Sequence, residues 1–338
     1  MSDPVVAFFH PRQLAFRPRY EWALGTRLAH PERTERADRI LAALSADARS
    51  FTVQTPVMPP VTTILEQHAA DLLSLYVAAT ELERELYPTV FLRPRDFAPD
   101  PGNLCHAGYF CFDSGTPLTA EAYDAALWSA ACAESAARAV RDGARLAYAL
   151  SRPPGHHASH DRFGGYCYLN NAAWAARTLG GRVCILDIDA HHGDGVQALF
   201  WRDPNGDGLG HGYNLNIALV PGTDGTGYLA RLEAEALPAI ETFAPDAIVL
   251  AAGVDGYVDD PIGNLALTTA DFHRIGERIG ALGLPTCAVQ EGGYYTPAIG
   301  DNVTALLAGL REGQASALDF SLASHTHSQE SHDSIDPS

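Results

Sequence analysis

Asp187, Asp189, His191, His192 and Asp194 fall within eight positions of CILDIDAHHGDG, residues 184–195, directly after an aliphatic run. Carboxylates are costly to remove from water unpaired, so a buried strand that ends in several of them implies a cation to receive them. Two carboxylates and an imidazole are ligands suited to zinc or another divalent ion. Asp189 and His191, spaced two apart so that an extended chain turns them the same way, are joined by Asp255 from VLAAGVDGYVDDP. Three protein ligands leave a position open for water, as in catalytic rather than structural sites. A lone aspartate at a strand end is usually a helix cap, and a lone His-His pair is usually a satisfied or exposed histidine. The run Asp-x-Asp-x-His-His-Gly-Asp-Gly differs, because its glycines relieve crowding around polar side chains that no packing need explains.

The elements that must position these groups follow from the pattern along the chain. A helix entered at His30-Pro31 covers HPERTERADRILAAL, and a second lies near TILEQHAADLLSLYVAATELE; the chain before them reads as irregular. Residues 87–119 form a long Pro-, Gly- and aromatic-rich loop, a length that in compact domains is usually functional. From 120 onward an Ala-rich helix to about Val140 is followed by the strand ARLAYAL, the helix NNAAWAARTL and the strand RVCILDID. A loop region, the strand DAIVLAAGVD, a helix over 269–282 with a Thr268/Asp271 capping box, the strand TCAVQ and a helix over 297–310 complete it. Apolar strands alternating with helices predict one α/β domain, residues 1–311, with a central parallel sheet flanked by helices on both faces. Ligands of such sheets bind beyond the carboxyl ends of the strands. Those ends carry Asp187, Asp189 and His191, Asp255, the pair His156-His157, and Glu291-Gly-Gly-Tyr294.

The formal charge is −18, and all 23 cations are arginine. So acidic a chain is unsuited to phosphate backbones, which excludes nucleic acid, and its field would concentrate cationic ligands; solubility is an equally good reason for the charge. The six cysteines include no Cys-x-x-Cys pair, so reduced, buried thiols are expected. No apolar run is long enough for a membrane span and the start lacks the basic end of a signal peptide, so a cytoplasmic location is expected. Residues 312–338, acidic and rich in Ser and His, read as disordered.

RPPGHHASHDRFGGYCYLNN, DIDAHHGDG, AGVDGYVDDPIG and EGGYY resemble the signature segments of the histone deacetylase superfamily, in its usual order. Arg-Pro-Pro before the histidines, Asp-Asp-Pro-Ile, Glu-Gly-Gly-Tyr and the loop GYFCFDSGTPLT are similar to its acetylpolyamine amidohydrolase branch. The resemblance implies an arginase-like fold, one catalytic zinc and hydrolysis of an acyl amide. It assigns Asp189, His191 and Asp255 to the metal and His156 and His157 to the attacking water, the second as proton shuttle. Asp187 and Asp194 orient the histidines, Asp187 also serving a monovalent cation such as K⁺. Tyr294 is the phenol that bonds the carbonyl oxygen. Gly165 and Tyr166 match the walls of an acyl tunnel, Ile262 stands where some members carry a charged gatekeeper, and Asp113 in the long loop is placed with the substrate-binding residues. That loop implies a homodimer contact.

The resemblance fails between Asp194 and YNLNIALVPGTDG, where the family inserts another parallel strand and a second tunnel aromatic. The chain has only VQALFWRDPNGDGLGHG there, so the strand that usually supplies ligands of the monovalent cation is missing or unrecognisable; a natural shortening predicts a wider, shallower pocket, and residues absent from the sequence are the alternative. The expected activity is deacetylation of acetylpolyamines or other small cationic N-acetylated amines. Protein acyl-lysine deacylation, a non-catalytic acyl-binding module and an arginase-like pair of manganese ions are the alternatives; the last needs a second acidic cluster that the sequence does not offer.

Overall fold

The computed structural model describes residues 4–93, 97–201 and 213–330, with side chains to 319. Its strands are β1 (Val5–Phe8), β2 (Tyr20–Ala23), β3 (Thr26–Ala29), β4 (Phe51–Gln54), β5 (Leu146–Ala149), β6 (Val183–Asp187), β7 (Ala247–Ala252) and β8 (Thr286–Gln290). β2 and β3 pair as an antiparallel hairpin; the others form one parallel sheet in the order β4-β1-β5-β8-β7-β6. The helices are α1 (Thr34–Ala46), α2 (Val61–Ile64), α3 (Ala70–Ala79), α4 (Ala107–Phe110), α5 (Ala122–Arg141) and α6 (Asn171–Leu179). They continue with α7 (Asp194–Trp201), α8 (Gly225–Arg231), α9 (Leu237–Phe243), α10 (Thr269–Gly280) and α11 (Ile299–Glu330).

Both faces of the sheet are covered, which is why β5 and β7 read as unbroken apolar runs and β5, β7 and β8 are buried at every position. One face packs Tyr148, Ile248 and Leu250 against Ile40 and Leu44 of α1, Phe272 and Ile275 of α10, and Leu306 and Leu310 of α11. The other sets Ala147, Ala149 and Ala251 against Ala133 and Ala136 of α5 and Ala172 and Ala175 of α6. Alanine on both sides lets these helices approach closely, and α6 starts on an Asn170 cap that accepts from Ala173 N–H. The Thr268/Asp271 capping box forms as expected. In register, Asp187 stands opposite Ala251 and Ala252 opposite Gln290, so the segments leaving β6, β7 and β8 emerge side by side.

Four departures from the sequence reading have physical causes. The supposedly irregular start contains β1, β2 and β3, and β4 lies between the two expected helices, each strand of four residues and too short to establish a period. The helix expected over TILEQHAADLLSLYVAATELE is split into α2 and α3. At the break Gln67 donates to Asn170 O, and the His68 ring is held between Ser159 O and Asn170 N–H, so distant contacts outweigh local helix propensity. The loop region after the metal segment begins with α7. The last helix runs on from 310 to Glu330, where no structure was expected; buried Gln314 anchors it by donating to Arg145 O and Leu284 O.

β6 is the sheet edge, half-buried along its length, and residues 213–220 add no strand beyond it. The shortened stretch 202–212 and the tail 331–338 lie outside the described residues. No helix among the described residues is long and apolar enough to cross a membrane.

Candidate active site

β6 stops at Asp187, and the chain then turns on its own side chains. Asp187 Oδ1 accepts Asp189 N–H at 3.0 Å, and Asp189 Oδ1 accepts His191 N–H at 2.9 Å. These turns replace the expected extension. They separate Asp187 from the other two: Asp187 Oδ2 receives His156 Nδ1 at 2.9 Å, whereas Asp189 and His191 face Asp255 from the end of β7.

His191 Nδ1 lies 3.0 Å from Asp189 Oδ1 and 2.9 Å from Asp255 Oδ2, and one ligand atom from each of the three lies within 4.8 Å of the others. Ligands about 2.0 Å from a tetrahedral zinc stand about 3.3 Å apart, so the donor set and its spacing fit one such ion. Both carboxylates are buried. Burial and the neighbouring Asp189 charge push the Asp255 carboxyl upward, while His156 and His191 hold Asp189 down against its own burial. Two carboxyls packed this closely split in this way. Further bonds fix them: Gly292 N–H to Asp189 Oδ2 at 2.8 Å and Ala190 N–H to Asp255 Oδ1 at 2.8 Å. Gly292 must be glycine for room, since a Cβ there would stand 2.2 Å from Asp255 Oδ2 and 2.5 Å from Asp189 Oδ2.

The rings of His156 and His157 lie 4.1 Å apart, and that of His157 is 6.2 Å from His191. Their environments drive them in opposite directions. Burial opposes charge on His156, but Asp189 and Asp187 overcome it and raise its pKa well above the usual histidine value. Burial, then the neighbouring His156, lowers that of His157. His157 Nδ1 is fixed by Asp194 Oδ1 at 2.6 Å at the start of α7. A neutral His157 therefore keeps its proton on Nδ1 and presents a basic Nε2.

Tyr294 is buried, and burial lifts its phenol well above the ordinary range, so it stays a donor. Asp260 positions it: one carboxylate oxygen accepts Tyr294 and Tyr295 N–H, the other Ile262 and Gly263 N–H. Buried Arg36 adds a second hold, bonding the carbonyls of Glu291 and Gly293 and placing its guanidinium 4.6 Å from the Tyr294 ring. Glu291 is a third support, accepting Gly155 and His156 N–H. Burial pushes its carboxyl up to about 7. Asp260 and Glu291 stand inside motifs visible in the sequence; Arg36, one arginine on a helix, carried no signal.

The remaining expected residues divide. Gly165, at φ +55°, lies against His157, and a Cβ would come within 2.2 Å of that ring. Tyr166 follows at φ +65°, its ring 5.7 Å from that of Tyr294. Asp113 accepts N–H from Gly115, Thr116 and Gly165 and the Thr116 hydroxyl, which ties the long loop to the Gly165 turn. Ile262 is half-buried and tied to the site through Asp260.

Known proteins share this arrangement. A family model described as "Histone deacetylase domain" matches residues 30–206 and 205–310, two stretches that meet in the shortened segment after α7. An acetylpolyamine amidohydrolase of Burkholderia pseudomallei is 37% identical over 340 residues, covering 90% of this chain and 98% of the relative. Acetylpolyamine amidohydrolase 1 of Pseudomonas aeruginosa is 40% identical over 279 residues, 74% of this chain and 77% of the relative. The crystal structure of the acetylpolyamine aminohydrolase from Burkholderia pseudomallei superposes with a TM-score of 0.84 at 36% identity, covering 91% of this chain and 99% of that one. The fold is accordingly of the arginase/deacetylase type. With its sheet, its Asp189, His191 and Asp255 cluster and its paired histidines in the family's order, the chain belongs to the histone deacetylase family of hydrolytic enzymes.

Proposed function

We propose that the chain is a zinc-dependent amidohydrolase that deacetylates small N-acetylated amines, acetylpolyamines foremost. The observation that carries this reading is the convergence of Asp189, His191 and Asp255 beside a neutral, oriented His157 and a buried Tyr294. Relatives named acetylpolyamine amidohydrolase and the −18 charge support the choice of amine.

Asp189, His191 and Asp255 would hold the zinc, which when bound supplies a Lewis acid for the carbonyl and lowers the pKa of water. His157 takes a proton from the water that attacks the amide carbon and returns it to the leaving amine. Asp194 keeps the reactive nitrogen turned toward the substrate. His156, held protonated by Asp187 and Asp189, orients the water as a donor. Tyr294 donates to the oxygen that gains negative charge, a contact whose removal commonly costs about 3 to 4 kcal/mol of barrier. Val90, Phe91 and Leu92, exposed on the 87–119 segment, support its use as the contact with a second copy.

The deciding experiment strips the protein with a chelator, restores zinc, and compares an acetylpolyamine with an acetyl-lysine peptide. Zinc-restored turnover that favours the acetylpolyamine is the expected result. Preference for the peptide would transfer the chain to protein deacylation, and no turnover of either would end the hydrolase reading.

A further inference from the structure

Glu291 carries a buried oxygen that the reaction above leaves idle. Its Oε2 accepts the N–H groups of Gly155 and His156, whereas its Oε1 is buried with no hydrogen-bond partner among the described residues. A bare buried carboxylate oxygen is costly, and what surrounds this one is two further donor groups. His156, Cys167 and Glu291 each bring a ligand atom, and the three atoms lie within 4.8 Å of one another. They come from separate places: the loop after β5, the turn closed by the paired backbones of Gly164 and Cys167, and the end of β8. All three residues are buried, and the Cys167 thiol donates to Gly165 O at 3.3 Å, which leaves Glu291 Oε1 unanswered.

Thiolate, imidazole and carboxylate together make a zinc-ligand set, and the two anions would balance one divalent ion. Ligands about 2.0 to 2.3 Å from a tetrahedral zinc stand about 3.3 to 3.8 Å apart, so the three atoms need draw in by about 1 Å at most. The approach is short. His157 lines a cavity of about 400 Å³ with Phe112, Ser159, Arg162 and Asp194, and its ring stands 4.1 Å from that of His156. We propose that His156, Cys167 and Glu291 form a second zinc site, distinct from the Asp189, His191 and Asp255 cluster, whose filling inhibits the enzyme. Whichever ring nitrogen binds the ion, His156 loses either its bond to Asp187 or the proton it donates to the attacking water. Binding exchanges the Cys167 thiol proton and one His156 ring proton for the ion, and both protons pass to solvent. Burial, then Glu291, holds that thiol protonated, so the site fills after the first cluster. The site does not depend on the deacetylase reading above; its effect on turnover rests on that reading.

The test adds further zinc to protein already holding one equivalent, in the wild type and in Cys167→Ser, whose hydroxyl keeps the bond to Gly165 O. Native mass spectrometry counts the ions, and hydrolysis of N-acetylputrescine reports turnover. The wild type should take up a second ion and lose about 100-fold in turnover as it fills, the scale of a positioned proton donor. Cys167→Ser should keep the one-zinc turnover and need about 100-fold more zinc for the same inhibition. Cobalt supplied as the second ion should give the wild type a thiolate-to-cobalt charge-transfer absorption that Cys167→Ser lacks, a signal that requires no turnover. No second ion, a second ion without that absorption, or equal inhibition of Cys167→Ser would overturn the proposal. A second ion with the absorption and undiminished turnover would overturn its inhibitory role. A wild type that shows the absorption but hydrolyses nothing at any zinc level would sink the deacetylase reading and leave the site standing.

Discussion

Gly292→Ala is a minimal perturbation aimed at the metal ligands. The added methyl would lie 2.2 Å from Asp255 Oδ2 and 2.5 Å from Asp189 Oδ2, where ordinary contact begins near 3.4 Å. Relief requires each carboxylate to retreat by about 1 Å, against a tolerance of about 0.2 Å for ligand distances. Neither can retreat freely: Asp189 is pinned by the His191 N–H and packs on Gly253, and Asp255 is pinned by the Ala190 N–H. Gly292 needs no positive φ, so alanine does not strain its backbone, and overpacking should cost about 1 to 3 kcal/mol of stability. Zinc affinity should fall by about 100-fold or more, in the upper range for disturbed metal surroundings. Competition against a chelator of known affinity, alongside a thermal melt, measures both quantities. A folded Gly292→Ala protein with wild-type zinc affinity would refute the placement of Asp189 and Asp255 as joint ligands.

Tyr294→Phe should lower kcat by about 10²- to 10³-fold and leave zinc content unchanged, read by steady-state kinetics and metal analysis. Asp260→Asn removes acceptors for the backbone that carries Tyr294; kcat should fall about 100-fold, as for a misplacement of about 1 Å, with the ion retained. Burial lowers the pKa of His68 to about 4, and its Nε2 must accept Asn170 N–H, which a protonated ring cannot do. The unfolded chain, with an ordinary histidine near 6.5, then binds the extra proton first. Stability is therefore full above pH 6.5 and declines as pH falls toward 4, by about 3 kcal/mol for this group. Urea melts of the protein and of His68→Gln, compared pH by pH so that other titrating groups cancel, should show the stability difference between them shift by about 3 kcal/mol against the histidine as pH falls from 6.5 to 4.

The sheet from β5 onward was legible because its strands are buried on both faces and its helices carry their own caps, as at Thr268 and Asp271. β1 and β4 were not, since four residues cannot show a period and their pairing is long-range. The split at His68 was hidden for a related reason: what breaks the helix is Ser159 and Asn170, some ninety residues or more away in the chain. The Asp189, His191 and Asp255 cluster, which the account proposes as the metal site, could be read because its members end adjacent strands and their types are costly anywhere else. Arg36 could not, because it acts through a residue from another part of the chain and looks ordinary among its own neighbours. Asp113 was visible but its role was not, since only the fold reveals that its acceptors are already taken.

The central claim is tested most directly by titrating zinc into chelator-stripped protein while following bound metal by native mass spectrometry and hydrolysis of N-acetylputrescine together. The account predicts that one ion per chain binds and restores turnover, and that Asp255→Ala loses both. Hydrolysis by the metal-free protein, or an Asp255→Ala protein that keeps its ion and its activity, would contradict it.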